Sequence, residues 1–292
     1  MPIPANPRPA STVILLRDAV TGSIGPEVFL VRRHEGTAFM GGAHVFPGGR
    51  VDEADREVAD PSWCDGVDVA MRQLDRVPAV DAVAFHVAAI RELFEEAGVL
   101  LARDRSGQFV SLAGADEQAR FRQYSADVHA KIRPLRDVIE REKLRLALDA
   151  LVPFAHWVTP PIDVRQFDTR FFLTRVPPRQ TPVHDDRETT QSIWMTPSRA
   201  LHDASADLIV LPPPTWTTLR ELEPFQSVDE AIAWARARQS VRRQPLLIEQ
   251  DGVRMLVSPG DPLHPEPAVA DSRSEVRFVQ VAGRWRAERP AT

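Results

Sequence analysis

The sequence predicts a mixed α/β fold, a sheet with a long helix packed against it. Three observations carry this. Two apolar runs, residues 12–17 and 27–33, are separated by Thr21-Gly22-Ser23-Ile24-Gly25, the pattern of strand, turn and strand. Residues 81–97 then place Val83, Val87, Ile90, Phe94 and Ala97 at three- and four-residue steps, which makes one apolar helix face. The segments that follow mix both element types.

Residues 1–10 read as a flexible, proline-bearing tail without the apolar core of a signal peptide. After the first two strands, a glycine-rich stretch runs from Gly36 to Gly49 and ends in Phe46-Pro47-Gly48-Gly49. Residues 51–81 are acidic and read as irregular, with Pro61 and Pro78 breaking any long helix. The helix over 81–97 stops at Gly98, where a C-terminal cap glycine belongs. Residues 116–152 read as helical, interrupted at Pro134. Residues 169–176 and 191–195 read as strands, and Thr196-Pro197 opens a helix with a cap and a first-turn proline. Ser227-Val228-Asp229-Glu230 is a capping box for a helix over 231–238. In the last fifty residues, short strands are expected around Asp251-Gly252 and Ala282-Gly283.

Composition narrows the function classes. The 292 residues are 43% apolar and 26% charged, enough for one large elaborated domain or two small ones. A net charge of -5 argues against nucleic acid as the partner. No run approaches the roughly 18 apolar residues of a membrane span. Cys64 is the only cysteine, so an internal disulfide and a cysteine metal site are both excluded, which fits a reducing, cytoplasmic setting. Most of the 36 basic residues are Arg, suited to bidentate phosphate contacts. A homodimer is left open.

Glu92, Glu95 and Glu96 carry the chemistry. Spaced i, i+3 and i+4, they fall on one side of the predicted helix, opposite its apolar face. Carboxylates so close repel one another unless cations lie between them, and hard oxygen ligands select Mg²⁺ or Mn²⁺. On the glutamates alone, a solvated surface face is the commoner explanation.

Their context reverses that. Arg91-Glu92-Leu93-Phe94-Glu95-Glu96-Ala97-Gly98-Val99 matches the second half of the Nudix box, and Gly49 with Asp55 six residues on fills the first half. The chain resembles the Nudix hydrolase superfamily. Two departures mark a branch: Asp55 stands where Glu is the rule, and 35 residues lie between Asp55 and Arg91 where the uninterrupted box has seven. With Trp157-Val158-Thr159-Pro160 and Phe167-Asp168-Thr169-Arg170 downstream, the chain looks like the interrupted-box peroxisomal coenzyme A diphosphatases and their bacterial relatives, over roughly residues 10–240. Arg33 and Gly42 also fall where another coenzyme A diphosphatase signature has Arg and Gly, while His34 and Ala38 depart from it.

The resemblance implies a Nudix α/β/α sandwich over residues 11–240. The box insertion would span 56–80, leaving and returning at nearby points as a surface loop. A helical insertion would cover 114–152, and 241–292 would form a C-terminal extension. Implied metal ligands are Glu92, Glu95 and Glu96, with Arg91 holding a box glutamate and Glu92 also a candidate base. Glu188, six residues before Trp194, is a candidate for a further ligand or the general base. Arg33 is a candidate phosphate contact. Gly48 and Gly49 are expected to permit a tight substrate-binding loop through backbone angles closed to other residues. The implied reaction is metal-dependent hydrolysis of a diphosphate linkage in a small nucleotide substrate, coenzyme A or an acyl-coenzyme A. ADP-ribose or NADH is the second reading, and a non-catalytic nucleotide-binding module the third.

Overall fold

The computed structural model describes residues 7–19, 24–36, 40–74, 77–161, 166–185, 189–267 and 277–288. Most of the predicted N-terminal tail and the turn residues Thr21, Gly22 and Ser23 lie outside them. In chain order, β1 (Arg8–Asp18), β2 (Pro26–Arg33), β3 (His44–Val45) and β4 (Gly48–Arg50) lead to α1 (Glu53–Val58), β5 (Cys64–Asp65), α2 (Val67–Gln73) and α3 (Ala79–Ala97). Then come β6 (Ala102–Arg103), α4 (Ala115–His129), α5 (Leu135–Glu142), β7 (Arg145–Ala147), β8 (Val152–Val158), β9 (Phe167–Arg175) and β10 (Thr189–Met195). The chain continues through α6 (Pro197–Ser205), α7 (Pro213–Leu222), α8 (Val228–Arg236) and β11 (Arg242–Arg243). It ends in β12 (Leu246–Gln250), β13 (Val253–Val257), β14 (Arg277–Val281) and β15 (Arg284–Glu288).

The main sheet runs β10-β2-β1-β9-β8-β11, with β3 on β2 and β4 on β1. It is mixed: β1 runs parallel to β9 and antiparallel to β2. Successive side chains of a strand point to opposite faces, and here both faces are covered. Val13, Leu15, Phe29, Val31 and Phe172 face α3 and its neighbours. Ile14, Leu16, Val28, Leu30 and Leu173 face the layer built from α6, α7 and α8. The α/β/α sandwich expected from the sequence is therefore present.

Helix α3 is where the sequence places it, and 14 of its 19 residues are buried, more than one apolar stripe would bury. It closes at Gly98, whose φ of 65° lies in the left-handed region, with its N–H donating to Phe94 O at 3.0 Å. The predicted cap at Ser227 also forms. Its Oγ accepts from Glu230 N, but Glu230 reaches back to Gln226 N, one residue before the cap.

Strand β1 begins at Arg8, inside the stretch read as tail, because Arg8 pairs with Phe167 of β9. Residues 51–81 are not irregular: they hold α1 and α2, six and seven residues long, too short for a period to show. Nor are they only a surface loop, since Val58, Cys64, Ala70 and Leu74 are buried in the same core as α3. The helical reading of 116–152 holds only as far as Glu142. The chain then enters β7, pairs with β5 and β6, and continues into β8, whose near-complete burial removes the alternation that identifies a strand.

His86 ties the insertion to α3. It is fully buried, its Nδ1–H donates to Ala82 O at 2.7 Å, and its Nε2 lies 3.0 Å from the Gln73 side-chain amide at the end of α2. Burial lowers its pKa to about 4. As pH falls from 6.5 towards 4, the unfolded state takes up a proton that the folded state refuses, so the stability held by the neutral ring is lost on acidification. Urea unfolding should therefore show His86 removing about 2 kcal/mol of stability between pH 7 and pH 5. His86→Gln should flatten that part of the pH dependence. An unchanged slope in the variant would mean that His86 is not the group that titrates.

Candidate active site

The interrupted box closes around Arg91. All five of its N–H groups are engaged. Nε donates to Asp55 Oδ1 at 2.8 Å, and Nη2 to Asp55 Oδ2 at 3.0 Å and Arg50 O at 2.7 Å. Nη1 donates to Glu92 Oε1 at 2.8 Å and Glu95 Oε1 at 2.9 Å. Asp55, only 1% exposed, is thus the residue through which the first half of the box grips the second. Burial works against the charge on Arg91, but the hydrogen bonds to Asp55 and the charges of Glu92 and Glu95 outweigh it, so the guanidinium stays protonated.

Gly48 and Gly49 are required for space, not for unusual backbone angles: neither has a positive φ. A Cβ on Gly48 would stand 2.4 Å from Ser11 O and 2.7 Å from Thr12 Cα, across the β1–β4 pairing. A Cβ on Gly49 would lie 2.5 Å from Glu92 Oε1. The glycines let β4 run directly beneath α3. Gly48 N then donates to Glu96 Oε2 at 3.1 Å, which orients the third glutamate from the loop.

Among the described residues, Asp55, Glu92 and Glu95 share the single guanidinium of Arg91, so negative charge is in surplus there. Burial pushes Glu92 up to about 7, against the pull of Arg91 and with the push of Glu95. Burial also raises Glu95, whose Oε2 lies 3.6 Å from His129 Nδ1. Among the described residues no three acidic, imidazole or thiol groups already surround one point. Arg91 instead takes one oxygen each from Glu92 and Glu95. In kind and charge the set fits a hard divalent cation, which would supply the missing positive charge to buried oxygen donors.

The cluster opens into a cleft of about 710 Å³, within the range of small-molecule sites. Gly48, Gly49, Arg91, Glu92 and Glu95 form its floor. Arg33, Arg50, His129 and Lys131 add a basic rim, and Trp157, Phe171 and Pro213 an apolar side. Arg33 therefore reaches the cleft, as its place in the sequence suggested, and its buried Nε has no hydrogen-bond partner among the described residues. Glu188 and Ala38 lie outside the described residues. His129 and Lys131 had no signal in the sequence. They arrive because α4 packs on α3, where Ser125 Oγ donates to Phe94 O at 2.8 Å. Cys64 is no nucleophile: burial raises its thiol to about 12, and Sγ donates to Val58 O.

An Arg-centred carboxylate cluster on a helix laid over a mixed sheet is the arrangement of the Nudix hydrolases, and known proteins agree. The family described as the NUDT19 Nudix domain matches residues 7–222. The acyl-coenzyme A diphosphatase NUDT19 of Homo sapiens is 32% identical over 83% of this chain and 73% of its own length. The Xenopus laevis protein of the same name is 28% identical over 82% of this chain and 72% of its length. A solved NUDIX hydrolase from Alicyclobacillus acidocaldarius superposes with a TM-score of 0.66 at 26% identity, covering 81% of this chain and 98% of that one. The chain belongs to the NUDT19 Nudix family and is a Nudix hydrolase.

Proposed function

We propose that this hydrolase cleaves the diphosphate bridge of coenzyme A and its acyl thioesters with Mg²⁺ or Mn²⁺, in the cytoplasm. The observation that carries the reading is the buried surplus of carboxylate around Arg91 at the floor of a cleft large enough for a nucleotide derivative. The names of the relatives support the substrate class. Among the described residues no helix is long and apolar enough to cross a membrane.

In this reading Glu92, Glu95 and Glu96 hold the metal, with Glu188 as a further ligand. When bound, the cation offsets the charge of the diphosphate and makes a coordinated water more acidic. Arg91 keeps Glu92 and Glu95 in place as carboxylates. Glu92 or Glu188 takes the proton from the attacking water, whose oxygen bonds to one phosphorus while the bridging oxygen leaves with the other phosphate. Arg33 contacts phosphate, and Gly48 and Gly49 let the substrate lie against the backbone of β4. The products are 3′,5′-ADP and 4′-phosphopantetheine, acylated when the substrate is a thioester.

The test is a substrate panel with Mg²⁺ or Mn²⁺, read by product mass, with chelation expected to abolish turnover. Coenzyme A should exceed 3′-dephospho-coenzyme A in kcat/KM by roughly 10- to 150-fold, the value of a charge-assisted contact to the 3′-phosphate. Equal rates would show that this phosphate is not read. Faster cleavage of ADP-ribose or NADH than of either would replace the substrate reading.

A further inference from the structure

Strands β12 to β15 form a separate four-stranded antiparallel sheet beyond the stretch matched by the family. Its two hairpin turns, at Asp251-Gly252 and Ala282-Gly283, each place two consecutive residues at positive φ. Register sorts its side chains. Leu247 pairs with Leu256 and Leu256 with Phe278, while Arg254 pairs with Glu249 and Gln280 with Trp285. Cross-strand partners share a face, and alternate residues along a strand return to it. Leu247, Leu256, Arg254, Gln280 and Trp285 therefore lie on one face, and these same five side chains line the cleft above the glutamates. Ile248, Met255 and Val279 occupy the opposite face.

Described contacts tie the sheet to the rest of the fold at both ends. Arg243 of β11 pairs with Trp157 at the edge of the main sheet, and Pro245, two residues on, already lines the cleft. At the far end, Arg284 Nη1 donates to Asp207 Oδ1 at 3.0 Å, and Arg286 donates to the same oxygen. The face it presents is apolar where Leu247, Leu256 and Trp285 stand. It faces a cleft that already has Trp157 and Phe171 on the main-sheet side. Where these apolar side chains meet, water is excluded, and the one guanidinium described on this face, Arg254, stands beside them with Gln280. An alkyl chain fits the apolar side chains.

We propose that the C-terminal sheet is the acyl-side wall of the cleft: Leu247, Leu256 and Trp285 bind the hydrocarbon of a coenzyme A thioester and set its preferred chain length. This rests on the coenzyme A reading. The thioester is untouched by cleavage of the diphosphate, so the contact is remote from the reacting atoms and should act chiefly through KM.

The test compares kcat/KM for free coenzyme A and for dodecanoyl-coenzyme A, below its micelle concentration, in the full-length protein. Leu256→Ala with Trp285→Ala should cut the thioester-to-free ratio by roughly 10-fold or more while leaving free coenzyme A little changed. Leu256→Trp, which fills the cleft instead of emptying it, should lower the ratio for dodecanoyl- more than for acetyl-coenzyme A. Val279→Ala, on the opposite face, should leave the ratio as in wild type, which separates contact with the chain from a loosened sheet. A ratio unmoved in the cleft-face variants, or one lowered equally by Val279→Ala, overturns the wall assignment while the substrate reading stands. Equal losses on free and acylated substrate also overturn it. A wild-type enzyme inert towards both substrates overturns the coenzyme A reading, and the proposed occupant with it.

Discussion

Glu96→Gln should lower kcat by at least about 100-fold and leave the fold intact. The amide keeps the volume of the side chain, and its oxygen can still accept from Gly48 N, which now stands 3.1 Å from Glu96 Oε2. What disappears is one negative charge at a site proposed to hold a cation, and losing one electrostatic partner of a transition state costs a factor of about 10²–10³. Because Glu96 is only 6% exposed, the loss of charge should slightly raise thermal stability, or leave it unchanged, in the metal-free protein. Turnover, metal titration and melting temperature on the same preparation decide the matter. Near-wild-type kcat with an unchanged metal requirement would remove Glu96 from the proposed ligand set.

Arg91→Ala should be the most damaging single substitution for stability. It leaves Asp55 buried without its bidentate partner, and Glu92 and Glu95 facing each other with no cation between them. Breaking a buried ion pair from one side costs about 3–5 kcal/mol, because the remaining charge stays desolvated. Arg91→Lys should recover only part of this, since an ammonium cannot make the planar fork to Asp55 and also reach Arg50 O and two glutamates. Adding Asp55→Asn to Arg91→Ala should cost far less than Asp55→Asn alone, a coupling of about 1–3 kcal/mol in a denaturant double-mutant cycle. Additive effects would show that the pair seen at 2.8 and 3.0 Å carries no net energy.

The legible parts of this chain were those set by local rules. The period of α3, the strands around Val13 and Val31, the helix stop at Gly98 and the short strands around Gly252 and Gly283 depend on neighbours a few residues away, and each is where its pattern puts it. The role of Asp55 was only half visible: the motif marked its position, but its partner Arg91 is 36 residues on. The motif marks Gly48 and Gly49 but not their cause, because close approach to Ser11, Thr12 and Glu92 is a tertiary fact with no trace in the sequence. Strand β8 was obscured by its burial, and α7 by Pro212-Pro213-Pro214, which reads as a breaker although proline is tolerated in a first turn. The approach of the C-terminal sheet to the cleft is likewise a matter of docking between elements far apart in the chain.

The grip of Asp55 on Arg91 also bears on chain entropy. The segment between them closes a loop of 35 residues where seven suffice in an uninterrupted box. For a flexible chain the closure cost grows only as the logarithm of length, so that fivefold increase adds about 1.4 kcal/mol. The ion pair between Asp55 and Arg91 gives the closed loop a fixed geometry, because either charge left buried without the other would cost about 3–5 kcal/mol. The insertion also returns part of the cost by burying Val58, Ala70 and Leu74 against α3. The box is thus closed by tertiary contacts, the Asp55–Arg91 pair and the packing of the inserted chain on α3, and not by the shortness of the connection. At this one point the length of the polypeptide is nearly uncoupled from the geometry of the carboxylates.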